Sequence, residues 1–206
     1  MLRNEAQTRY ELVDPALRLR GWNETNVKVE VTYGAIITID GKAHQRQGRT
    51  DYLLRIEVTK DTQPIALALI EAKAEDKSPG FGLEQGKRDS DCNRLNVKFV
   101  FSTNGHQFVE YDKFTGITSQ PKSILEFPTP AELRQRYENG VDFSLESEAA
   151  KPMLVKYTGG EAERRYYQDA AIRAVFEKIA RGGNRALLSL ATGAGVQFRL
   201  QTAFMA

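Results

Sequence analysis

An uninterrupted apolar run, Ile65-Ala66-Leu67-Ala68-Leu69-Ile70, closes on Glu71-Ala72-Lys73. The run reads as a buried strand. Its end is a place where a charge is costly unless it is paired or coordinates a metal. An acid, Asp51, opens the preceding strand-like run, Asp51-Tyr52-Leu53-Leu54-Arg55-Ile56. Strand alternation puts Glu71 and Lys73 on one face, and antiparallel neighbours can bring Asp51 towards Glu71 across one turn. An acid on one strand, with an acid and a lysine two residues apart on the next, is how a metal-dependent nuclease builds its centre. On the residues alone two readings stand, that centre or a salt bridge, because Glu-x-Lys is a common tripeptide in a chain with 27% charged residues.

The rest of the sequence narrows the class. At 206 residues and 41% apolar content the chain can bury a sizeable core, with room for one full domain and part of another. A net charge of +2 does not announce a nucleic-acid binder, although a local basic patch can attract one. The single Cys92 excludes an internal disulfide and a Cys-rich zinc site. His44 and His106 are too few and too far apart for a histidine metal cluster, so any metal is expected to be a hard cation on carboxylates. No stretch approaches the roughly 20 apolar residues that span a bilayer, and Met1-Leu2-Arg3-Asn4-Glu5 lacks the apolar core of a signal peptide. The expectation is no membrane and a reducing cytoplasm.

Along the chain, Asn4 is suited to cap a helix with Ala6, Tyr10, Val13 and Leu17 on one face, kinked or split at Pro15 and ended by Gly21-Trp22. Residues 27–33 alternate as a strand, with Val27, Val29 and Val31 on one face. Residues 36–39 and Asp40-Gly41 read as a strand and a tight hairpin turn. Residues 42–50 read as a polar, basic stretch. Strands follow at 51–58 and 65–74, then a helix over 83–95, strands at 97–102 and 106–111 joined by Asn104-Gly105, and a short helix over 130–137. The polar stretch 140–152 is the expected domain boundary. Beyond it lie a long helix over 161–181 and a short strand over 185–191. The order predicts an α/β fold, a mixed sheet flanked by helices.

Phosphodiester hydrolysis needs a water nucleophile, neutralisation of the phosphoryl oxygens and a stabilised leaving oxygen, most of which Mg²⁺ supplies. Mg²⁺ takes oxygen ligands, one or two of them protein carboxylates. Asp51 and Glu71 suit it, with the Ala72 carbonyl as a third ligand. Lys73 is placed to orient the attacking water and stabilise transition-state charge.

Arg49-Thr50-Asp51-Tyr52 followed by Ile70-Glu71-Ala72-Lys73 resembles the PD-(D/E)xK nuclease superfamily. Other segments narrow the resemblance: Glu5-Ala6-Gln7-Thr8-Arg9, Asp14-Pro15 and Gly21-Trp22 at the start, Gly82-Leu83-Glu84-Gln85 after the lysine, and Phe99 to Gly105. Up to Gly195 the chain is similar to the N-terminal nuclease region of the restriction (R) subunit of type I restriction-modification enzymes. The resemblance implies a restriction-endonuclease-like core over residues 1–150 and a Mg²⁺-dependent endonuclease acting on double-stranded DNA. It also implies a prokaryotic cytoplasm, and partners that are the methylation and specificity subunits. Gln85 matches the glutamine of a Gln-x-x-x-Tyr element that helps arrange the catalytic centre, while Asp89 stands at the tyrosine position. Glu5 resembles an acid on the first helix that supports the metal, and also reads as a helix-start carboxylate favoured by the macrodipole. Arg46, Arg49, Lys77, Lys87, Arg88 and Arg94 flank the site in sequence and read as phosphate contacts or as solubilising charge. Trp22, Tyr10, Phe99 and Phe101 read as core, and Cys92 as inert.

Residues 151–206 resemble the incomplete start of a superfamily 2 helicase-like motor. Tyr167-Gln168 is similar to its adenine-contacting glutamine motif, and Leu187 to Gly195 approaches a phosphate-binding loop. That loop needs Lys and then Ser or Thr next, where this chain has Val196-Gln197. Residues 196–206 are therefore read as foreign to a motor, and ATP as a cofactor of an intact subunit only. The alternatives are an inactive DNA-binding or assembly module and a fragment of an ATP-driven translocase.

Overall fold

Residues 65–72 form β3 (Ile65–Ala72), and every position except Ala66 is buried. A strand covered on both faces reads as continuous apolar sequence rather than as alternation. The computed structural model describes residues 2–39, 42–60, 62–90, 96–155, 166–183 and 185–187. Beside β3, β2 (Lys42–Ile56) pairs antiparallel and β4 (Phe99–Thr103) pairs parallel. With β1 (Val27–Ile39), β5 (Gln107–Asp112), β6 (Ile117–Thr118) and β7 (Lys122–Ser123), they make a seven-stranded mixed sheet ordered β1-β2-β3-β4-β5-β6, with β7 also on β5. The fold is therefore the mixed α/β sheet that the sequence predicts.

A parallel step needs a crossover. Between β3 and β4 it carries α3 (Leu83–Ser90), whose Leu83 packs with Leu53, Leu69, Val97, Val100 and Val109 on one face of the sheet. The opposite face is larger. It buries Ala16 and Leu17 of α2 (Asp14–Leu19), Leu133, Tyr137 and Val141 of α4 (Pro130–Val141), Met153 and Leu154 of α5 (Lys151–Leu154), and Phe176 of α6 (Tyr166–Ala180). At its centre Phe101, Phe108 and Phe127 meet with ring centroids 4.6 to 5.8 Å apart. Trp22 Nε1 donates to the Pro128 carbonyl at 2.8 Å, satisfying its one polar atom.

The N-terminal helical segment explains two departures from periodicity. Asn4 caps α1 (Glu5–Thr8) through a reciprocal pair with Gln7, as expected. Residues 9–13 then make a π-helical turn before α2, where Pro15 occupies the first turn. Proline offers no N–H and crowds the carbonyl four residues back, and a widened turn accommodates both. The extra residue rotates the helix phase. Thr8 and Val13 are buried while Ala6 and Tyr10 face out, Tyr10 at 75% exposure. The core assignment of Tyr10 is thus corrected. The segment ends at Gly21, whose φ of 86° suits a residue without Cβ.

Five other expectations change. Val27 packs on the larger core and Val31 on the smaller, with Val29 exposed, so the three valines do not share a face. Glu30 between them lies at φ 56°, which breaks the alternation. Residues 42–50 are strand rather than a connecting stretch, because β1 and β2 pair along their length, where backbone bonding needs no apolar face. The strand expected over 65–74 stops at Ala72, and the helix expected over 130–137 runs on to Val141, which is buried. Residues 140–152 are not irregular throughout. They contain a 3₁₀ turn at Glu148–Ala150, and Leu145 and Ala150 are fully buried.

α6 is tied to the sheet by buried polar groups. Arg173 donates to the carbonyls of Ala66 at 2.7 Å and Asn96 at 2.6 Å, and Tyr137 donates to Glu177 at 2.6 Å. The Asp40-Gly41 turn, the 91–95 end of the expected helix, and the phosphate-loop-like segment with its tail lie outside the described residues. Of the strand expected at 185–191 only 185–187 are described, without regular structure. Among the described residues no helix is long and apolar enough to cross a membrane.

Candidate active site

The register Tyr52↔Ile70 between β2 and β3, carried one residue further, sets Asp51 opposite Glu71. Both sit on the face that α3 covers. Asp51 Oδ2 accepts from the Ala72 N–H at 2.8 Å and Oδ1 from Arg9 at 2.9 Å. One side chain is thereby pinned to the end of β3 and to the π-helical turn together. Lys73, just beyond β3, places Nζ 2.6 Å from Glu71 Oε1, 3.1 Å from Gln85 Oε1 of α3 and 3.8 Å from Glu5 Oε2. The structure brings together Asp51, Glu71, Ala72, Lys73 and Gln85, with Glu5 at the margin.

Glu71 is 3% exposed. Its Oε2 is buried without a hydrogen-bond partner. Burial pushes its carboxyl up to about 7; the Lys73 hydrogen bond opposes this, and the charges of Asp51 and Asp89 add to it. Burial works to lower the Lys73 ammonium, but Glu71, Glu5 and Asp51 outweigh it and hold it above its ordinary value. Lys73 therefore keeps its proton, and Glu71 is the member of the pair whose charge is costly. A buried oxygen with no donor, beside a second carboxylate, is the environment a hard cation completes. Among the described residues no cluster of three or more His, Cys, Asp or Glu side chains could hold a metal. The donor set fits a cation that takes two carboxylates and keeps several waters, which is the habit of Mg²⁺.

Three neighbours of the site, Arg9, Gly82 and Asp89, have no role assigned from the sequence. Arg9 bridges Asp51 and Glu30 (3.0 Å to the latter), and Arg49 also pairs with Glu30. Its only sequence signal is its spacing of four from Glu5, one helical turn. Gly82 donates to Ser102 Oγ at 3.0 Å. A Cβ on Gly82 would lie 2.7 Å from Glu71 Cγ and 2.9 Å from Lys73 Cε, so the loop before α3 presses directly on the acid and the lysine. Asp89, at the position where the resemblance expects tyrosine, is buried on α3 and close enough for its charge to raise Glu71.

The other candidates are distributed. Lys87 pairs with Glu84 at 2.8 Å and lies over the Tyr111 ring, and His106 pairs with Glu75 at 2.8 Å. Lys77 and Arg88 line an open cleft of about 380 Å³ with Glu5, Lys73, Phe81 and Gln85. The side chains of Arg46, His44, Cys92, Arg94, Tyr167 and Gln168 lie outside the described residues.

No family model matches the sequence. The chain is 35% identical, in an alignment of 205 positions that covers 93% of its length, to the endonuclease subunit of the type I restriction enzyme EcoAI from Escherichia coli. It spans 24% of that protein. A solved fragment assigned to an HsdR subunit of a type I restriction enzyme from Vibrio vulnificus YJ016 matches with a TM-score of 0.75 and 32% identity. That match covers 98% of this chain and 39% of the fragment.

Proposed function

This chain is a homologue of the endonuclease subunits of type I restriction enzymes, and from that premise we propose that it carries the subunit's Mg²⁺-dependent DNA-cleaving site. The observation that carries the reading is Glu71, buried with one unpartnered oxygen between Asp51 and the Lys73–Gln85 pair. Asp51, Glu71 and the Ala72 carbonyl would hold the cation. When bound, Mg²⁺ neutralises phosphoryl oxygens and lowers the pKa of a water. Lys73, protonated and steadied by Gln85, orients the attacking water and stabilises the charge growing on the phosphoryl oxygens. Arg9 fixes the rotamer of Asp51, and Gly82 allows the loop before α3 to close over the pair. None of these groups reads a base edge, so cleavage is expected to have little sequence preference of its own. Recognition then falls to separate specificity and methylation subunits, and cleavage follows ATP-driven translocation by the intact complex.

Plasmid nicking by the intact complex tests this. Glu71→Ala or Lys73→Ala is expected to abolish Mg²⁺-dependent cleavage and spare ATP hydrolysis. Full cleavage by either variant assigns the domain to DNA binding or assembly instead. Titration of this chain with Mn²⁺ is the direct ligand test, and binding that survives Asp51→Ala with Glu71→Ala refutes the ligand set.

A further inference from the structure

The cleft beside Lys73 presents an aromatic ring that the chemistry of cleavage does not use. Phe81 is 63% exposed and stands between Gly80 and Gly82 at the mouth of the site. Its exposure is not that of a fraying loop. Phe81 N–H donates to the Ser78 carbonyl and Leu83 N–H to that of Gly80, each at 3.0 Å. Gly82 N–H is held by Ser102, and Leu83 is buried. An anchored backbone thus holds an aromatic ring in water, giving up the apolar burial that a ring of this size gains elsewhere.

Around the ring are cations. Lys77 Nζ lies 5.9 Å from the Phe81 centroid, and α3 brings Gln85 and Arg88 to the same wall as Lys73. Arg88 is exposed and makes no ion pair or hydrogen bond among the described residues. Of the acids nearby, Glu84 is answered by Lys87 at 2.8 Å, Asp76 by Lys77 at 3.1 Å, and Glu5, which lines the same cleft, lies 3.8 Å from Lys73. One aromatic face among positive charges does not suit an apolar protein partner, which needs a contiguous patch. It suits a polymer that alternates anions with flat π faces.

Building on the nuclease reading, we propose that Phe81 is a stacking platform for a nucleobase, with Lys77 and Arg88 on the flanking phosphates. In a duplex the base faces are already covered by their neighbours. The site therefore favours a strand that is unpaired next to the phosphate presented to Lys73. Cleavage is directed to locally opened DNA, and the specificity is for strand state rather than for sequence.

The test uses this chain without added divalent cation, so that no strand is cut. Fluorescence anisotropy compares a single-stranded oligonucleotide with its duplex, and a 5-iodouracil-substituted strand is photocrosslinked and the adduct mapped by mass spectrometry. The expected results are preferential binding of the single strand and an adduct at Phe81. Phe81→Ala should weaken single-strand binding about tenfold, the range for one lost base–aromatic stack, with little change for the duplex. Phe81→Trp should restore it, and Leu125→Ala, an equally exposed apolar residue outside the cleft, should behave as the parent. Equal binding of both DNA forms by Phe81→Ala and the parent, or an adduct that maps elsewhere, overturns the proposal. The nuclease reading fails separately, when Glu71→Ala in the intact complex nicks at the full rate while the Phe81 results stand.

Discussion

Replacing Glu71 with glutamine separates what the site does from what it costs the fold. Glu71 holds its proton to about 7 in the folded chain, against an ordinary 4.5. A carboxyl raised by folding contributes stability that is fully present below 4.5. That contribution is lost as pH rises from 4.5 towards 7. At about 1.4 kcal/mol per pH unit, the ionised side chain at pH 8 leaves the metal-free fold about 3 kcal/mol less stable than a neutral one does. Glutamine keeps the shape and removes the titration. Urea unfolding in EDTA should therefore show Glu71→Gln more stable than the parent by about 2–3 kcal/mol at pH 8, with the difference closing towards pH 4.5. Adding Mg²⁺ at a hundred times its Kd should stabilise the parent by about 2.7 kcal/mol and leave the variant unmoved. A variant that is equally or less stable than the parent at pH 8, with no pH dependence to the difference, refutes the claim that the acid is held at a cost the cation relieves.

Other expected outcomes follow from the same geometry. Gly82→Ala puts a methyl 2.7 Å from Glu71 Cγ and 2.9 Å from Lys73 Cε; the buried Glu71 must shift to admit it, so urea unfolding should register a loss of about 1–3 kcal/mol, while nicking by the intact complex falls on the order of a hundredfold. Glu75 is pushed down to about 2, first by the Arg3 backbone N–H and then by His106; its contribution is present above pH 4.5 and lost on acidification towards pH 2. An NMR titration of its carboxyl carbon should show that depressed midpoint, and Glu75→Gln should flatten this part of the acid limb of the stability curve. Arg173→Met leaves the Ala66 and Asn96 carbonyls without their buried donor and should cost about 2–4 kcal/mol in urea unfolding; a change under about 0.5 kcal/mol would mean α6 is not held by that residue.

The strands nearest the site were legible because their signal is local. A run such as Ile65 to Ile70 has no other way to bury itself, and Asp51, Glu71 and Lys73 follow from strand alternation once the two runs are neighbours. Capping chemistry gave the start of the first helix at Asn4, and Pro130 marked that of α4. The phase of the first helix was not legible, because Pro15 forces a wide turn whose consequence is spatial and exposes Tyr10. Nor was the length of the β1–β2 ribbon, since residues 42–50 carry no apolar alternation that would mark them as the partner of β1.

The sequence by itself marked the candidate groups: two carboxylates and a lysine two residues from one of them, placed by the strand period, and a glutamine one helix later, supplied by the family resemblance. The strand period could do this because it is a property of the backbone and needs no partner. The tertiary structure decided what those groups are like. Packing α3 and the Gly82 loop over β3 strips water from Glu71 and leaves Oε2 without a donor. The π-helical turn delivers Arg9 to Asp51, and an anchored loop holds Phe81 out beside the site. Desolvation and long-range approach depend on atoms far apart in the chain, and no local reading of residues contains them.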